Sequence, residues 1–154
     1  MVGPEIAVIV CTRNRPASLE RTLESLSVQT HGNFEVVVVD QSDGDHTRHL
    51  VEAQRRRDGR FRYLRLDTPG LSRAYNVGIH ASEAPLLAFT DDDCVAPTDW
   101  LESIVAAFAA EPDVLLLHGQ VTLPPGIGPE GERGGCTPTL LIGERRVIGG
   151  GRRF

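Results

Sequence analysis

Two runs rich in β-branched residues, Ile6-Ala-Val-Ile-Val-Cys11 and Phe34-Glu-Val-Val-Val-Val-Asp40, constrain this chain more than anything else in it. Apolar runs of strand length without polar alternation mark strands buried on both faces, and such strands belong to parallel sheets covered by helices on either side. Between the two runs Leu19, Leu23 and Leu26 recur at helical spacing, with Pro16 where a first helical turn tolerates it. The pattern then repeats: a helix is predicted over 46–57, a strand over 61–66, a helix over 71–81 after Pro69-Gly70, and a strand over 86–90. A further helix carries Leu101, Ile104, Val105 and Phe108 on its inner face, with Thr98 as its expected cap and Pro112 as its stop. Residues 114–117 read as a fifth strand. The expectation is a three-layer α/β/α domain around a mostly parallel, Rossmann-like sheet.

A chain of 154 residues has room for one such domain with a self-sufficient core. Residues 1–123 read as that core. Residues 124–154 are dense in Gly and Pro and read as loop, or as a short hairpin pairing 140–142 with 146–148 around Gly143-Glu144. The formal charge of −5 and the absence of a dense basic cluster argue against a nucleic-acid partner. Every basic residue is Arg, so neither the phosphate-loop lysine nor the strand lysine of a protein kinase is available. Phosphate chemistry here falls to Arg, backbone amides or a metal. Cys11, Cys94 and Cys136 are widely spaced, which suits a reduced compartment and shows no zinc spacing. The run 6–11 is too short and too poorly flanked for a signal or spanning segment, so a cytoplasmic protein is expected.

In open parallel sheets ligands collect beyond the carboxyl ends of the strands. Those positions read Thr12-Arg13-Asn14-Arg15, then Asp40-Gln41-Ser42-Asp43, then Asp91-Asp92-Asp93. Three successive carboxylates repel one another and raise each other's pKa unless a cation or many donors share the space. With oxygen ligands and no His cluster the fitting partner is a hard ion, Mg²⁺ or Mn²⁺, held by one or two carboxylates while a substrate diphosphate completes its shell. Such an ion offsets charge developing on a leaving nucleoside diphosphate. The competing reading is a solvated Asp-rich turn. His118 and His80 read as structural, and Trp100 as core packing near the acidic turn.

Four segments, Val8 to Arg15, Val37 to Gly44, Gly70 to Ile79 and Phe89 to Asp93, stand in an order and spacing that together resemble the family 2 glycosyltransferases over residues 5–123. The resemblance implies a GT-A fold and a metal-dependent, inverting transfer of sugar from a nucleoside diphosphate donor, with a lean to UDP, onto a hydroxyl. The acceptor would be a glycan, lipid-linked or other hydroxyl compound, and the cofactor Mn²⁺ or Mg²⁺. Carried over position by position, it places Thr12 and Arg15 near base and ribose, with Asn14 in the same loop, and Asp40 on the base. It places Arg73 near base and phosphates with Asn76 on the same helix, Gly78 where helix meets sheet, Asp91 or Asp92 on a ribose hydroxyl, and Asp93 on the metal.

The resemblance also calls for a general base after the metal motif, and here only Glu130, Glu132 and Glu144 follow Asp113, none in the family's context. No base is assigned. The family's acceptor half normally follows the fifth strand, so the expectation is an incomplete acceptor half: a fragment or truncated frame, a subunit whose partner completes the acceptor site, or a donor-binding domain with little transferase activity, with peripheral membrane or partner-subunit association implied by analogy. Two other readings stay open: a non-catalytic or partner-completed nucleotide-sugar-binding domain, and a nucleotidyltransferase, against which the glycine-free loop after the first strand counts.

Overall fold

The computed structural model describes residues 3–119 and 140–142. Strands β1 (Ile6–Thr12), β2 (Phe34–Asp40), β3 (Phe61–Arg65) and β4 (Leu86–Asp91) alternate with helices α1 (Pro16–Ser27), α2 (His46–Arg57), α3 (Leu71–Ala81) and α4 (Trp100–Ala110). Two short strands, β5 (Leu116–His118) and β6 (Leu140–Ile142), complete one sheet in the order β3-β2-β1-β4-β6-β5. β1 lies parallel between β2 and β4, in a register that sets Thr12 level with Asp40 and Cys11 level with Asp91. Every loop that follows β1, β2 or β4 therefore opens on the same edge of the sheet. This is the three-layer α/β/α arrangement the sequence predicts.

The layers follow from the period-2 alternation of side chains along each strand. Ile6, Val8 and Val10 of β1, with Val36 and Val38 of β2, pack under Leu19, Leu23 and Leu26 of α1, Val51 of α2 and Leu101 and Ile104 of α4. Ala7, Ile9, Val37 and Val39 turn to the opposite face and meet Ala74 of α3 beside Leu87 and Phe89. Each fully buried Val, Leu or Ile stabilises the fold by roughly 1.5–3 kcal/mol, so both faces of the central strands resist displacement. Pro16 occupies the first helical position of α1, where its missing N–H costs nothing.

Two local expectations are corrected. Thr98 does not cap α4: the helix begins at Trp100 after Asp99, without a side-chain cap from either residue. The buried Gln29 amide takes over that task, its Oε1 accepting from the Leu101 N–H at 3.0 Å. The fifth strand is shorter and later than 114–117, because Val114 N–H closes a turn on the Glu111 carbonyl and pairing starts at Leu116. Leu140–Ile142 pairs antiparallel with both β4 and β5, inside the sheet, and 146–148, its expected hairpin partner, lies outside the described residues. Trp100 packs against the core as expected.

α3 approaches the sheet most closely at Gly78. A Cβ there would lie 2.4 Å from Ile9 Cγ2 and 3.4 Å from Val39 Cγ2. An alanine in mid-helix ordinarily gains about 1 kcal/mol over glycine, but overpacking a buried contact costs about 1–3 kcal/mol. Gly78→Ala is therefore expected to lower the urea midpoint of unfolding, and an unchanged or raised midpoint would contradict the close packing.

Candidate functional site

The edge of the sheet carries an open cleft of about 410 Å³ lined by Cys11, Thr12, Arg13, Arg15, Gln41, Leu71, Asp91, Asp92 and Asp93. The residues come from four places far apart in sequence, the ends of β1, β2 and β4 and the start of α3, gathered because β1 sits between its two parallel neighbours. Arg15 caps α1 from the end of the β1 loop with a non-helical backbone, and its side chain turns to the acidic residues. Arg15 Nη1 donates to Asp92 Oδ1 at 2.8 Å and Nη2 to Asp93 Oδ2 at 2.5 Å. Thr12 Oγ1 donates to the other oxygen of Asp92 at 2.7 Å. Asp92 is thus closed off, its side chain 5% exposed, whereas Asp93 remains 45% exposed.

Burial, then the neighbouring charges of Asp93 and Asp92, lift the Asp91 carboxyl above its ordinary range, with Arg15 pulling the other way. Asp92 is also raised, chiefly by burial, although the Thr12 hydroxyl and Arg15 both favour its charged form. The Arg15 guanidinium is held more firmly protonated by its hydrogen bond to Asp93 and by the field of the cluster. Burial, with Asp91 and Asp92 nearby, pushes the Cys11 thiol up to about 12. Cys94 is raised by burial and by Asp91 and Asp93, so both sulfurs are thiols at neutral pH.

Asp91, Asp93 and Cys94 can each bring one ligand atom to a common point, the three atoms lying within 4.8 Å of one another. Two carboxylate oxygens suit a hard divalent ion that completes its shell with other oxygens, and Mn²⁺ tolerates a sulfur neighbour better than Mg²⁺ does. The donor set therefore fits the expected ion. Cys94, read from the sequence as a small buried residue, joins the acidic residues here; its place directly after Asp93 was the signal for it.

The remaining predicted residues are distributed less simply. Asp40 is wholly buried at the end of β2. Its Oδ1 accepts from Ser42 N–H at 2.8 Å, its Oδ2 from the Tyr63 hydroxyl at 2.9 Å, and Arg65 Nη1 stands 3.6 Å from Oδ2. The side chain of β2's end that lines the cleft is the next one, Gln41, which sequence reasoning passed over. Its Oε1 accepts from Gly70 N–H at 2.7 Å, joining the loop before α3 to the end of β2, and Gly70 has a φ of 146° that a side chain would strain.

Asn14 sits at φ 55°, a left-handed conformation that Asn adopts more readily than most residues. Its N–H donates to Ser42 Oγ, and its amide exchanges two hydrogen bonds with the Asp43 carboxylate and N–H, at 2.7 and 3.0 Å. Asn14 thus fastens the β1 loop to the β2 loop. Arg73 and Asn76 are exposed on α3, outside the cleft lining, and the Asn76 backbone carbonyl accepts from His80 Nδ1 at 2.7 Å. His118 is exposed at the end of β5, also away from the cleft.

A mostly parallel sheet with helices on both faces, and an acidic, arginine-bridged cleft at its carboxyl edge, defines an α/β domain of the GT-A kind. Residues 7–124 match the family described as Glycosyl transferase family 2, and the chain belongs to that family. It is 28% identical over 118 residues to the putative glycosyltransferase EpsH of Bacillus subtilis (strain 168), covering 77% of this chain and 34% of EpsH. It is 38% identical over 110 residues to the validoxylamine A glucosyltransferase of Streptomyces hygroscopicus subsp. jinggangensis, covering 69% of this chain and 26% of that enzyme.

Among solved structures, the mannosyltransferase PcManGT from Pyrobaculum calidifontis, in complex with GDP-Man and Mn2+, superposes with a TM-score of 0.70 at 25% identity, over 82% of this chain and 38% of that one. S. aureus TarS 1-349 in complex with UDP gives a TM-score of 0.69 at 27% identity, over 82% of this chain and 38% of that one. The chain spans about a quarter to a third of the length of these curated relatives. Among the described residues no helix is long and apolar enough to cross a membrane.

Two measurements follow from this geometry. The Asp91 carboxyl has a higher pKa folded than unfolded, so the folded chain holds the proton more tightly; stability falls as pH rises between the two values and stays lowered above them. In metal-free buffer Asp91→Asn is therefore expected to raise Tm at pH 7.5, the difference from wild type vanishing below the ordinary Asp value of about 3.9. Equal Tm values at pH 7.5 would contradict this. Tyr63→Phe removes one donor from the buried Asp40 and is expected to cost about 1–3 kcal/mol in urea unfolding.

Proposed function

We propose that this chain is the donor-binding part of a metal-dependent, inverting glycosyltransferase that takes a nucleoside diphosphate sugar, with UDP as the favoured nucleotide, and passes the sugar to a hydroxyl of a glycan, lipid-linked or other acceptor. The observation that carries the reading is the convergence of Thr12, Arg15 and Asp91, Asp92 and Asp93 on one cleft at the carboxyl edge of the sheet. Support comes from the relatives, two of which were solved with GDP-Man and Mn2+ or with UDP.

In this reading the nucleoside lies over the ends of β1 and β2 and the diphosphate reaches toward β4. Those strand ends are two strand spacings apart, about 10 Å. Asp91 or Asp92 accepts from a ribose hydroxyl. Of the two, Asp91 is the more available, because both oxygens of Asp92 already hold donors from within the chain. Asp40 serves the base from beneath: by fixing Ser42 and the end of β2 it sets the height of Gln41, the side chain that faces the cleft. Asn14 holds the β1 loop against the β2 loop, and Arg73, exposed on the first turn of α3 two residues after Leu71 of the cleft, is the basic residue for a phosphate. Asn76 supports the same helix.

Asp93 is the leading ligand for Mn²⁺ or Mg²⁺, with Asp91 and Cys94 beside it. When bound, such an ion withdraws charge from the departing diphosphate. Arg15 faces the phosphate end of the donor rather than its ribose, since its guanidinium already lies on Asp92 and Asp93. The general base that deprotonates the acceptor hydroxyl is not among the residues of the cleft, whose carboxylates belong to the donor side.

Calorimetric titration of UDP, GDP and dTDP with and without Mn²⁺ tests the reading. Mn²⁺ is expected to tighten UDP binding at least about tenfold, a coupling near 1.4 kcal/mol, and Asp93→Ala to abolish that gain while leaving the fold intact by circular dichroism. UDP binding by Asp93→Ala that equals wild type in the presence of Mn²⁺ would overturn the metal assignment. Donor binding without any transfer to added acceptors would identify the chain as a nucleotide-sugar-binding module.

A further inference from the structure

Arg15 is placed where two different partners want the same charge. One guanidinium spans two adjacent carboxylates, with Nη1 on Asp92 Oδ1 at 2.8 Å and Nη2 on Asp93 Oδ2 at 2.5 Å. Asp92 is fixed from a second side by Thr12 and is almost wholly covered, so its geometry survives without the arginine. Asp93 is different: it is 45% exposed, and Arg15 is its one hydrogen-bond donor among the described residues. Asp93 is also a member of the ligand group formed with Asp91 and Cys94. A small divalent ion such as Mg²⁺ binds carboxylate oxygen at about 2.0–2.1 Å, and a guanidinium at hydrogen-bond distance from that same carboxylate repels it. Ion and arginine therefore compete for Asp93.

The charges of the cleft point the same way. Three carboxylates and one guanidinium leave two net negative charges, which a divalent ion cancels, so an unmoved Arg15 would leave no cation free for the donor's diphosphate. Arg15 is long and half exposed, and beyond its bonds to Asp92 and Asp93 its side chain makes no other hydrogen bond or ion pair among the described residues, so it can swing away without disturbing the core. Arg pairs with phosphate oxygens through the same planar fork that it presents to carboxylates.

We propose that Arg15 is an exchangeable counter-ion that couples metal binding to donor binding. In the metal-free chain it holds Asp92 and Asp93 side by side; the ion takes Asp93 from it; the released guanidinium pairs with the diphosphate. Metal alone must displace Arg15 without compensation and binds weakly, whereas metal with nucleotide gives the arginine a new partner. By linkage the two ligands strengthen each other by one common factor. The proposal rests on the metal reading of Asp93 given above.

The test measures Mn²⁺ affinity from the electron paramagnetic resonance signal of free Mn²⁺, for the chain alone and with saturating UDP, after subtracting the binding of Mn²⁺ to UDP in buffer. Wild type is expected to bind Mn²⁺ weakly alone and at least about tenfold more tightly with UDP. Arg15→Gln removes the competitor, so it is expected to bind Mn²⁺ alone about three- to tenfold more tightly than wild type and to lose most of the gain from UDP. Arg15→Lys, a single-point cation that cannot bridge both carboxylates, is expected to lie between them and guards against a folding defect in the glutamine variant, which Tm reports directly. If Arg15→Gln binds Mn²⁺ alone no more tightly than wild type, or keeps the full gain from UDP, the exchange is overturned while the metal site stands. If wild type binds no Mn²⁺ even with UDP, the metal reading falls and the exchange with it.

Discussion

Three carboxylates in succession at the end of β4 form a site only because a cation is delivered to them from the end of β1. Arg15 and Thr12 between them engage three of the carboxylate oxygens of Asp92 and Asp93, and without those donors the cluster would be a repulsive turn. That delivery depends on the sheet. β1 lies between β2 and β4 in a register that sets Cys11 beside Asp91, and the burial of Val8, Val10, Ile9 and their neighbours on both faces holds the register rigidly. A slip of one residue would turn every core side chain of β1 to the wrong layer. The same hydrophobic packing that makes the fold stable thus fixes where Thr12 and Arg15 stand.

The site's frame extends beyond the residues that line it. Asn14 and Asp43 tie two loops together, Gln41 and Gly70 tie two more, and Asp40 anchors the end of β2 to Tyr63 and Arg65. None of these contacts crosses the cleft. They set its walls, so that the acidic side can remain charged, partly exposed and open to a ligand. Raised carboxyl pKa values at Asp91 and Asp92 are the electrostatic cost of gathering like charge in a half-buried place, a cost that a bound cation removes.

Most of the fold was legible before any coordinates. The β-branched runs and leucine spacing foretold the parallel strands and the first helices, because a strand buried on both faces must be continuously apolar. Where reading failed, a long-range partner had replaced a local one. Thr98 offered a plausible cap, but Gln29, 72 residues away from Leu101, supplies the acceptor. The pairing of Leu140–Ile142 with β4 and β5 is likewise long-range. At the site, Asp91, Asp92, Asp93, Thr12 and Arg15 were visible as polar groups at strand ends, while Gln41 and Cys94 were hidden by the ordinariness of their residue types.

By itself the sequence determined the architecture and the chemistry on offer: which strands are central, which edge is polar, and that the charged groups at that edge are Arg and Asp in a chain without Lys. Family membership was equally present in its four segments. Only the tertiary structure decided how those groups are shared out. It turned Asp40 inward and Gln41 to the cleft, closed Asp92, left Asp93 open, and laid one guanidinium across both. The physical reason is that periodicity specifies which face a side chain takes, whereas hydrogen-bond partners depend on distances between strand ends that meet only once the sheet has formed.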